Sequence, residues 1–297
     1  MFINIGQLAY VMSYIKSFQK YLIIDWKKKK KIMPNIITKH QSAFTKNRLI
    51  SDNILNAFET LHCMQSHKSS ENGYMAMKLD MSKAYDRMEW CFLEDLIRRL
   101  RFNERWIGLI MVCIKIVSYS ILVNGDTKWL IHPTRGIRQG DPLSPFLFLL
   151  CTEALHGLFS NAASSGEING FSFCQRGLKL THLLFANNSM LFCRSTIEEC
   201  KKILNILEIY WSASGQKVNK NKTALFFSRS TMESVRLAIK HRLGLQEIAQ
   251  YDKYLGLPSM VGKGKKESFN YIKVRISKKI ARMGREVTIT SRSWSLD

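Results

Sequence analysis

The sequence predicts an α+β fold, in which helices and strands alternate without the strict strand–helix–strand order of an α/β protein. The chain has 297 residues, of which 46% are hydrophobic and 23% charged, enough apolar material for a sizeable core. Short apolar runs bounded by glycine or turn residues predict strands, and longer stretches with apolar residues at helical spacing predict helices. Intrinsic disorder is therefore excluded as the main description of the chain.

The first part of the chain predicts three helices and one strand. A helix is expected from Asp52 onward, capped by Asp52 or the serine before it. The run YMAMKLD after Gly73 predicts a strand, which places Asp80 at the end of that strand. Two further helices are predicted over Glu89–Leu100 and Asn103–Val117 by the same helical spacing.

Two hairpins are predicted further along the chain. The dipeptide Asn124-Gly125 between two apolar runs is typical of a tight turn. Ser144-Pro145 predicts the start of a helix, with proline at its first position. The segment LKLTHLLFANNSMLFC has two apolar runs, Leu180–Phe185 and Met190–Cys193, around the polar residues Asn187–Ser189. This pattern predicts a buried hairpin whose tip is displayed.

The remaining elements are marked by helix-end signals. Thr196 and Glu199 form a capping box before a helix that Gly215 ends. The run TALFF predicts a strand, and a helix over Thr231–Leu243 is ended by Gly244. The run YLGLP predicts a short extended segment.

The charge of the chain predicts an anionic partner. Lys and Arg number 45 against 23 Asp and Glu, a formal net charge of +22. Nucleic acid and an acidic membrane face are the candidate partners of so basic a surface. The seven cysteines include no C-x-x-C pair, which argues against a disulfide framework or zinc site and for a reducing compartment. The histidines show no spacing typical of metal ligands.

No membrane-spanning segment and no signal peptide are expected. The longest uninterrupted apolar run is the nine residues Trp106–Ile114, whereas a spanning helix needs about 20. The N-terminus has no basic region before its apolar residues and no small-residue cleavage site. We expect an intracellular protein, nuclear or cytoplasmic, that is not secreted.

Several motifs occur together in one order. KLDMSKAYDRMEW, RGIRQGDPLSPFLF, HLLFANNSMLF, GQKVNKNKT and YLGLP follow QSAFTKNRLISDNIL. Over about Met33–Ile289 the chain resembles the reverse transcriptases of LINE-type (non-LTR) retrotransposons, especially those abundant in plants. The resemblance implies a right-hand polymerase with an antiparallel palm sheet. Residues 1–33 would be a divergent N-terminal segment, 34–230 the fingers and palm, and 231–297 a truncated, basic, thumb-like helical segment.

The resemblance also implies an activity and its partners. The family extends a DNA primer along an RNA template, with deoxynucleoside triphosphates as substrates and Mg²⁺ as the cofactor. Asp80 would be a metal ligand, and Tyr85 would pack against the sugar of the incoming nucleotide and reject a 2′-hydroxyl. Gln139 and Gly140 would lie along the nucleotide and template. The other expectations are Arg48 facing the triphosphate, Lys222 as the basic residue after the hairpin, and Leu255-Gly256 as the primer grip.

The chain departs from the family pattern at the hairpin tip. Where the family has two Asp, this sequence has Asn187 and Asn188. An amide oxygen brings no negative charge to Mg²⁺, so Asp80 is the one carboxylate left that the motifs assign to the metal. Losing ~4–6 kcal/mol of metal-centred stabilisation slows chemistry by roughly 10³–10⁴-fold. We therefore expect activity to be lost or very weak.

Two alternatives remain open at this point. The first is a non-catalytic RNA-binding protein, such as a maturase-like relic, that keeps a basic cleft; no maturase domain and no transit segment is recognised in its favour. The second is a chain that does not fold stably because the ends of the domain look shortened. No endonuclease or RNase H segment is recognised either.

Overall fold

The chain divides into two compact units, Met1–Glu247 and Ile248–Asp297. The structure, a computed structural model, describes residues 36–66, 73–124, 126–173, 177, 179–247, 253–255 and 257–258 and the single helical positions 270, 274, 277 and 280. The predicted N-terminal segment 1–33 and Gly256 lie outside the described residues. The boundaries predicted for fingers, palm and thumb stay predictions.

The first unit mixes helices and strands as predicted, and the family's α+β class is confirmed. Its helices are α1 (Ile50–Ser66), α2 (Trp90–Arg99), α3 (Glu104–Lys115), α4 (Ser144–Ser164), α5 (Ile197–Ser214) and α6 (Glu233–Leu243). Its longer strands are β1 (Tyr74–Ser82), β2 (Tyr119–Val123), β3 (Asp126–Ile131), β6 (His182–Phe185), β7 (Asn188–Arg194) and β9 (Ala224–Phe227). Its two-residue strands are β4 (Phe171–Ser172), β5 (Lys179–Leu180), β8 (Lys217–Val218) and β10 (Gln246–Glu247).

A six-stranded sheet forms the centre of this unit. Its strand order is β10-β9-β1-β7-β6, and β8 pairs with the end of β1. All pairs are antiparallel except β9 with β10. Met75, Met77, Leu79 and Met81 of β1 are buried on one face of the sheet. Because strand side chains alternate, Asp80 projects from the opposite face.

Helix α4 packs into the core through ten buried residues. The buried positions include Leu147, Leu150 and Phe159 and extend over the length of the helix. By length and composition alone this helix could cross a membrane, which its interrupted apolar run did not indicate. Half of its most apolar window is buried within the protein, so its apolar character is used in internal packing.

The helix ends confirm some of the predicted signals and correct others. Gly215 and Gly244 end their helices with φ of +74° and +61°, the left-handed conformation that glycine adopts without strain. Thr196 accepts the backbone N–H of Glu199, but the Glu199 carboxylate does not complete the capping box. It accepts instead the backbone N–H groups of Asn169 and Arg194. Because the Glu199 carboxylate accepts these hydrogen bonds, it does not cap its own helix.

Two helix starts differ from the prediction. Helix α1 begins at Ile50, so Asp52 lies in its first turn, where its charge favours the helix dipole, and is not the cap. In α4, Ser144 is the first helical residue and Leu143 occupies the cap position. The carboxylate of Asp141 accepts the backbone N–H of Leu143 at 2.8 Å and so fixes the residue before the helix.

The second unit is described over one short hairpin. Strand β11 (Lys253–Tyr254) pairs with β12 (Leu257–Pro258), with Tyr254 opposite Leu257. The extended segment predicted from YLGLP is thus part of a two-stranded hairpin.

Candidate functional site

The tip of the β6–β7 hairpin is a two-residue turn. Phe185 pairs with Asn188, which leaves only Ala186 and Asn187 in the loop. Ala186 has a φ of +51°, the sign that the first loop residue of a type II′ turn requires. The predicted turn over Asn187–Ser189 is therefore corrected, because Asn188 and Ser189 already belong to β7. The tight loop keeps both residues in the strand ladder.

This tip lies beside Asp80, as the motifs predicted. Asp80 is opposite Asn188 in the antiparallel register of β1 and β7. The Asn187 Nδ2 group donates a hydrogen bond to Asp80 Oδ1 at 3.2 Å. Asn188 Nδ2 donates in turn to Asn187 Oδ1 at 3.4 Å. The three side chains form a connected polar chain on one face of the sheet.

The second oxygen of Asp80 faces a lysine. Lys222 Nζ lies 3.8 Å from Asp80 Oδ2. The loop after β8 turns back at this point, because the N–H of Asn219 donates to the Asp80 carbonyl at 2.8 Å and the N–H of Lys222 donates to the Asn219 carbonyl. The carboxylate is 13% exposed and the lysine 72% exposed, so solvent screens the pair on one side. The sequence predicted a basic residue here but not its contact with Asp80.

The arrangement does not fit a site built to hold two divalent ions. One oxygen of Asp80 accepts a neutral amide and the other faces an ammonium group. In the described part of the chain, Asp80 belongs to no group of three or more acidic, histidine or cysteine side chains close enough to share an ion. A hard cation such as Mg²⁺ prefers several anionic oxygens, and this site offers a single carboxylate.

Tyr85 lies in the turn after β1, close to helix α4. Its ring stacks on Phe148 with centroids 5.0 Å apart and planes 9° from parallel. The side chain is half-buried, and burial raises the pKa of its phenol. The Tyr85 carbonyl accepts the N–H of Ile137 at 2.9 Å, so the turn contacts the loop that carries Gln139 and Gly140.

That loop needs glycine where it crosses the turn after β1. Gly136 has a φ of +90° and donates its N–H to the Met88 carbonyl at 2.7 Å. A Cβ at position 136 would lie 2.8 Å from the carbonyl oxygen of Asp86. Further along, Gln139 and Gly140 are exposed, and a Cβ at Gly140 would meet nothing within 4 Å. The loop is therefore anchored at Gly136 and open at its end.

Arg48 makes contacts that the sequence did not predict. Its guanidinium donates to the backbone carbonyls of Ile37 at 3.0 Å, of Gln41 at 2.5 Å and of Thr38. Burial raises the pKa of the nearby Glu153 to about 7, against the opposing effects of a Thr38 backbone hydrogen bond and the Arg48 charge. The described contacts of Arg48 thus stabilise the loop before α1, and its expected role toward a triphosphate stays a prediction.

Gln41 is a positioning residue that the sequence analysis missed. Its fully buried side chain accepts the N–H of Ala43 at 3.0 Å and that of Ala186 at 3.2 Å. Its amide donates to Thr152 Oγ1 on α4 at 3.3 Å. The Gln41 backbone also forms an isolated parallel β-bridge to Leu184 of β6. The glutamine therefore connects α4 directly to the hairpin tip, but a single Gln in a loop carries no sequence signal for this.

Three histidines also come together, although their spacing in the sequence is not typical of metal ligands. His40 lies in the loop before α1, His156 on α4 and His182 at the start of β6. One ring nitrogen of each lies within 4.8 Å of those of the others. Burial lowers the pKa of all three, that of His156 to about 4. The sequence did not indicate this cluster, because each histidine comes from a different structural element.

The predicted primer grip is described only in part. Leu255 lies in the turn of the β11–β12 hairpin, half-buried and with a φ of +50°. Gly256 lies outside the described residues. The primer-grip role of both stays a prediction.

The central sheet and the hairpin tip beside Asp80 are the arrangement expected of a reverse transcriptase domain. Residues 16–276 match the family model described as reverse transcriptase (RNA-dependent DNA polymerase). The chain therefore belongs to the reverse transcriptase family, whose members normally use divalent metal ions. The LINE-type resemblance is also confirmed.

The relatives include proteins of mobile elements. An uncharacterized mitochondrial protein of Arabidopsis thaliana is 46% identical over 68 residues, 23% of this chain and 56% of that protein. The 149 kDa protein of transposon TX1 from Xenopus laevis is 22% identical over 66% of this chain and 14% of its own length. The Pol polyprotein of a type-1 R2 element from Nasonia vitripennis is 30% identical over 42% of this chain and 12% of its own length. The chain thus spans about half or less of these relatives.

A solved structure shows the same fold. The telomerase of Candida tropicalis, determined with the TWJ fragment of telomeric RNA, superposes with a TM-score of 0.51 at 13% identity. The match covers 85% of this chain and 37% of the telomerase chain.

Proposed function

We propose that this reverse transcriptase domain binds an RNA template and a DNA primer but polymerises DNA weakly or not at all. The observation that carries the proposal is the hydrogen bond from Asn187 Nδ2 to Asp80 Oδ1. In the family pattern both tip positions are Asp, whose repulsion from Asp80 a divalent cation relieves. Here the tip donates to Asp80, so the carboxylate is satisfied by protein groups alone.

The charge balance around Asp80 supports the same proposal. Transfer of a nucleotide needs cations that stabilise both the attacking oxygen and the leaving phosphate. Asp80 supplies one negative charge, and Lys222 lies 3.8 Å away on its other side. A cation would have to displace an amide donor and approach an ammonium group. We propose Mg²⁺ as the ion that the ancestral site bound and that this site holds only weakly.

The other contacts support a nucleotide-binding position for the loop after β3. Tyr85 and the loop with Gln139 and Gly140 are joined by the hydrogen bond from Ile137 to the Tyr85 carbonyl. The exposed end of this loop, with open space beside Gly140, lets its backbone approach a ligand closely. We propose that deoxynucleoside triphosphates bind here.

Primer extension on an RNA template, with Mg²⁺ or Mn²⁺, tests the proposal. The unaltered chain is expected to give little or no product. Asn187→Asp combined with Asn188→Asp is expected to increase synthesis, and adding Asp80→Asn to that double variant is expected to abolish the increase. Robust synthesis by the unaltered chain would refute the impairment.

The net charge of +22 favours a second candidate, a non-catalytic RNA-binding protein. In that case RNA binding persists in EDTA, and the double Asp variant does not gain synthesis. Affinity measured over a range of salt concentrations is expected to fall steeply with log salt if a basic cleft is retained. Flat or absent binding would leave neither function.

A further inference from the structure

Three histidines from separate elements converge beside the start of β6. The closest pair, His156 Nδ1 and His182 Nε2, is 2.8 Å apart, and the ring centroids of His40 and His182 are 4.7 Å apart. Zn–N bonds of about 2.0–2.1 Å place two ligands of a tetrahedral ion about 3.3 Å apart, so small ring movements are sufficient. We propose that His40, His156 and His182 together bind one divalent transition-metal ion, with Zn²⁺ as the first candidate.

Hydroxyl groups outside the cluster lie within hydrogen-bonding distance of all three rings, and that of Thr38 is 3.1 Å from His40 Nδ1. Thr181 Oγ1 lies 2.8 Å from His182 Nδ1, so a proton on Nδ1 leaves the Nε2 lone pair directed at the other histidines. Ser160 Oγ lies 3.3 Å from His156 Nε2 and 3.4 Å from His156 Nδ1. A proton on Nε2 leaves the Nδ1 lone pair of His156 free for a metal. Hydrogen bonds of this kind fix the tautomer that a metal ligand needs.

The metal would replace a proton that the two rings now share. His156 Nδ1 and His182 Nε2 can face each other at 2.8 Å only if one of them carries a hydrogen. On metal binding, the His156 proton moves from Nδ1 to Nε2, where Ser160 accepts it, and the ring stays neutral. No net proton release is needed, and both nitrogens become ligands.

The surroundings favour a borderline metal rather than Mg²⁺. The described ligand group consists of imidazoles alone, which suit Zn²⁺, Cu²⁺ or Ni²⁺ better than a hard cation. Burial lowers the pKa of all three rings. His182 is fully buried, whereas His40 and His156 are half-buried, which leaves an open side for a fourth ligand such as water.

The proposed site is separate from the polymerase residues and does not depend on the proposed function. His182 begins β6, and the hairpin tip follows the other end of the same strand. A bound ion would hold the loop before α1, helix α4 and strand β6 together. The ion is therefore expected to stabilise the fold, and this effect does not require the protein to be an active polymerase.

Calorimetric titration of the metal-free 297-residue chain with Zn²⁺ tests the site. We expect one equivalent to bind, and His40→Gln or His156→Gln to weaken binding by more than about 100-fold. These positions are chosen because a change at fully buried His182 risks unfolding the protein. The matched control is His132→Gln, an exposed histidine outside the cluster, which is expected to bind Zn²⁺ as the unaltered chain does.

Two further measurements, Co²⁺ absorption and thermal stability, test the proposal. Co²⁺ in place of Zn²⁺ is expected to give visible absorption bands of a four-coordinate ion in the unaltered chain and in His132→Gln, but not in the other two variants. Zn²⁺ is expected to raise the thermal midpoint of the same two proteins only. Circular dichroism checks that each variant is folded. Absence of stoichiometric Zn²⁺ binding, or equal binding by folded His40→Gln and His156→Gln, would overturn the proposal.

Discussion

Asn187 in the hairpin loop and Asp80 on β1 are joined by a hydrogen bond from the Asn187 side-chain amide to the Asp80 carboxylate at 3.2 Å. The bond exists because the two-residue turn of the hairpin places Asn187 beside Asp80. Asn187 comes one position before Asn188, the residue that pairs with Asp80 in the strand ladder. An amide can donate to a carboxylate, whereas a second carboxylate would repel it. The polar side chains at the tip therefore have hydrogen-bond partners within the protein.

Replacing both tip residues by Asp is expected to make the stability of the fold depend on divalent cations. The double variant Asn187→Asp, Asn188→Asp loses the amide donor and places three carboxylates together. We expect a loss of roughly 1–2 kcal/mol without metal and recovery when Mg²⁺ is added. Thermal melts with and without Mg²⁺ measure this. The control Asn221→Asp, on an exposed loop residue, is expected to show no response; a double variant insensitive to Mg²⁺ would contradict the prediction.

Lys222 is expected to matter for RNA binding more than for stability. Its side chain is 72% exposed and solvent screens the ion pair with Asp80 on that side, so Lys222→Gln is expected to change the free energy of unfolding by less than about 1 kcal/mol. If its ammonium contacts a phosphate, the slope of log affinity against log salt falls by about one. Filter binding over a salt series measures the slope. The exposed Lys201→Gln serves as the control, and equal slopes for both variants would argue against a phosphate contact.

Removing the Gln41 side-chain amide is expected to destabilise the protein strongly. Gln41→Leu leaves the N–H groups of buried Ala43 and half-buried Ala186 without their acceptor, at an expected cost of about 2–4 kcal/mol. Urea denaturation measures the change. Gln65→Leu removes one bond, to the Phe227 carbonyl, from a half-buried side chain and is expected to cost about 1 kcal/mol. Similar losses for both variants would show that Gln41 has no special role at the tip.

The buried carboxyl of Glu153 predicts a pH dependence of stability. Its pKa is raised to about 7, because burial disfavours the charged form. A raised pKa means that the folded state binds more protons, so this stability contribution is complete below about pH 4.5 and is lost as the pH rises through 7. Glu153→Gln is therefore expected to stabilise the fold by roughly 1–3 kcal/mol at pH 8 and to change little at pH 4.

Denaturation at the two pH values tests the Glu153 prediction. Glu208→Gln, at an exposed position of α5, is the control and is expected to show no such difference between pH 4 and pH 8. A Glu153→Gln variant with the same stability difference at both pH values would contradict the assignment.

The glycine that anchors the loop after β3 is expected to be irreplaceable. Gly136→Ala combines a φ of +90° with a Cβ only 2.8 Å from the Asp86 carbonyl oxygen. We expect a loss of about 2–3 kcal/mol from strain and the displaced backbone. Gly108→Ala is the matched control: it lies within α3 with nothing within 4 Å of a Cβ, and should stabilise by about 0.5–1 kcal/mol. A neutral Gly136→Ala, seen by chemical denaturation, would contradict the anchoring role.

Much of the fold was predictable because its signals are local. The strand ending near Asp80, the hairpin and the helix stops at Gly215 and Gly244 each depend on residues adjacent in the chain. The order of the motifs identified the family, and the family pattern indicated that the hairpin tip pairs with β1. Alternating polarity in β1 was sufficient to place Asp80 opposite the buried methionines.

The tertiary structure alone decided which partners these side chains meet. The carboxylate of Glu199 leaves its helix end for Asn169, and Arg48 turns to backbone carbonyls. The three histidines and Gln41 also gain their neighbours from distant segments. A side chain's position along its own helix or strand follows from local periodicity, whereas its contacts depend on how separate elements pack. The composition and motifs therefore determined the class of protein and the amides at the hairpin tip, and packing determined which groups contact Asp80.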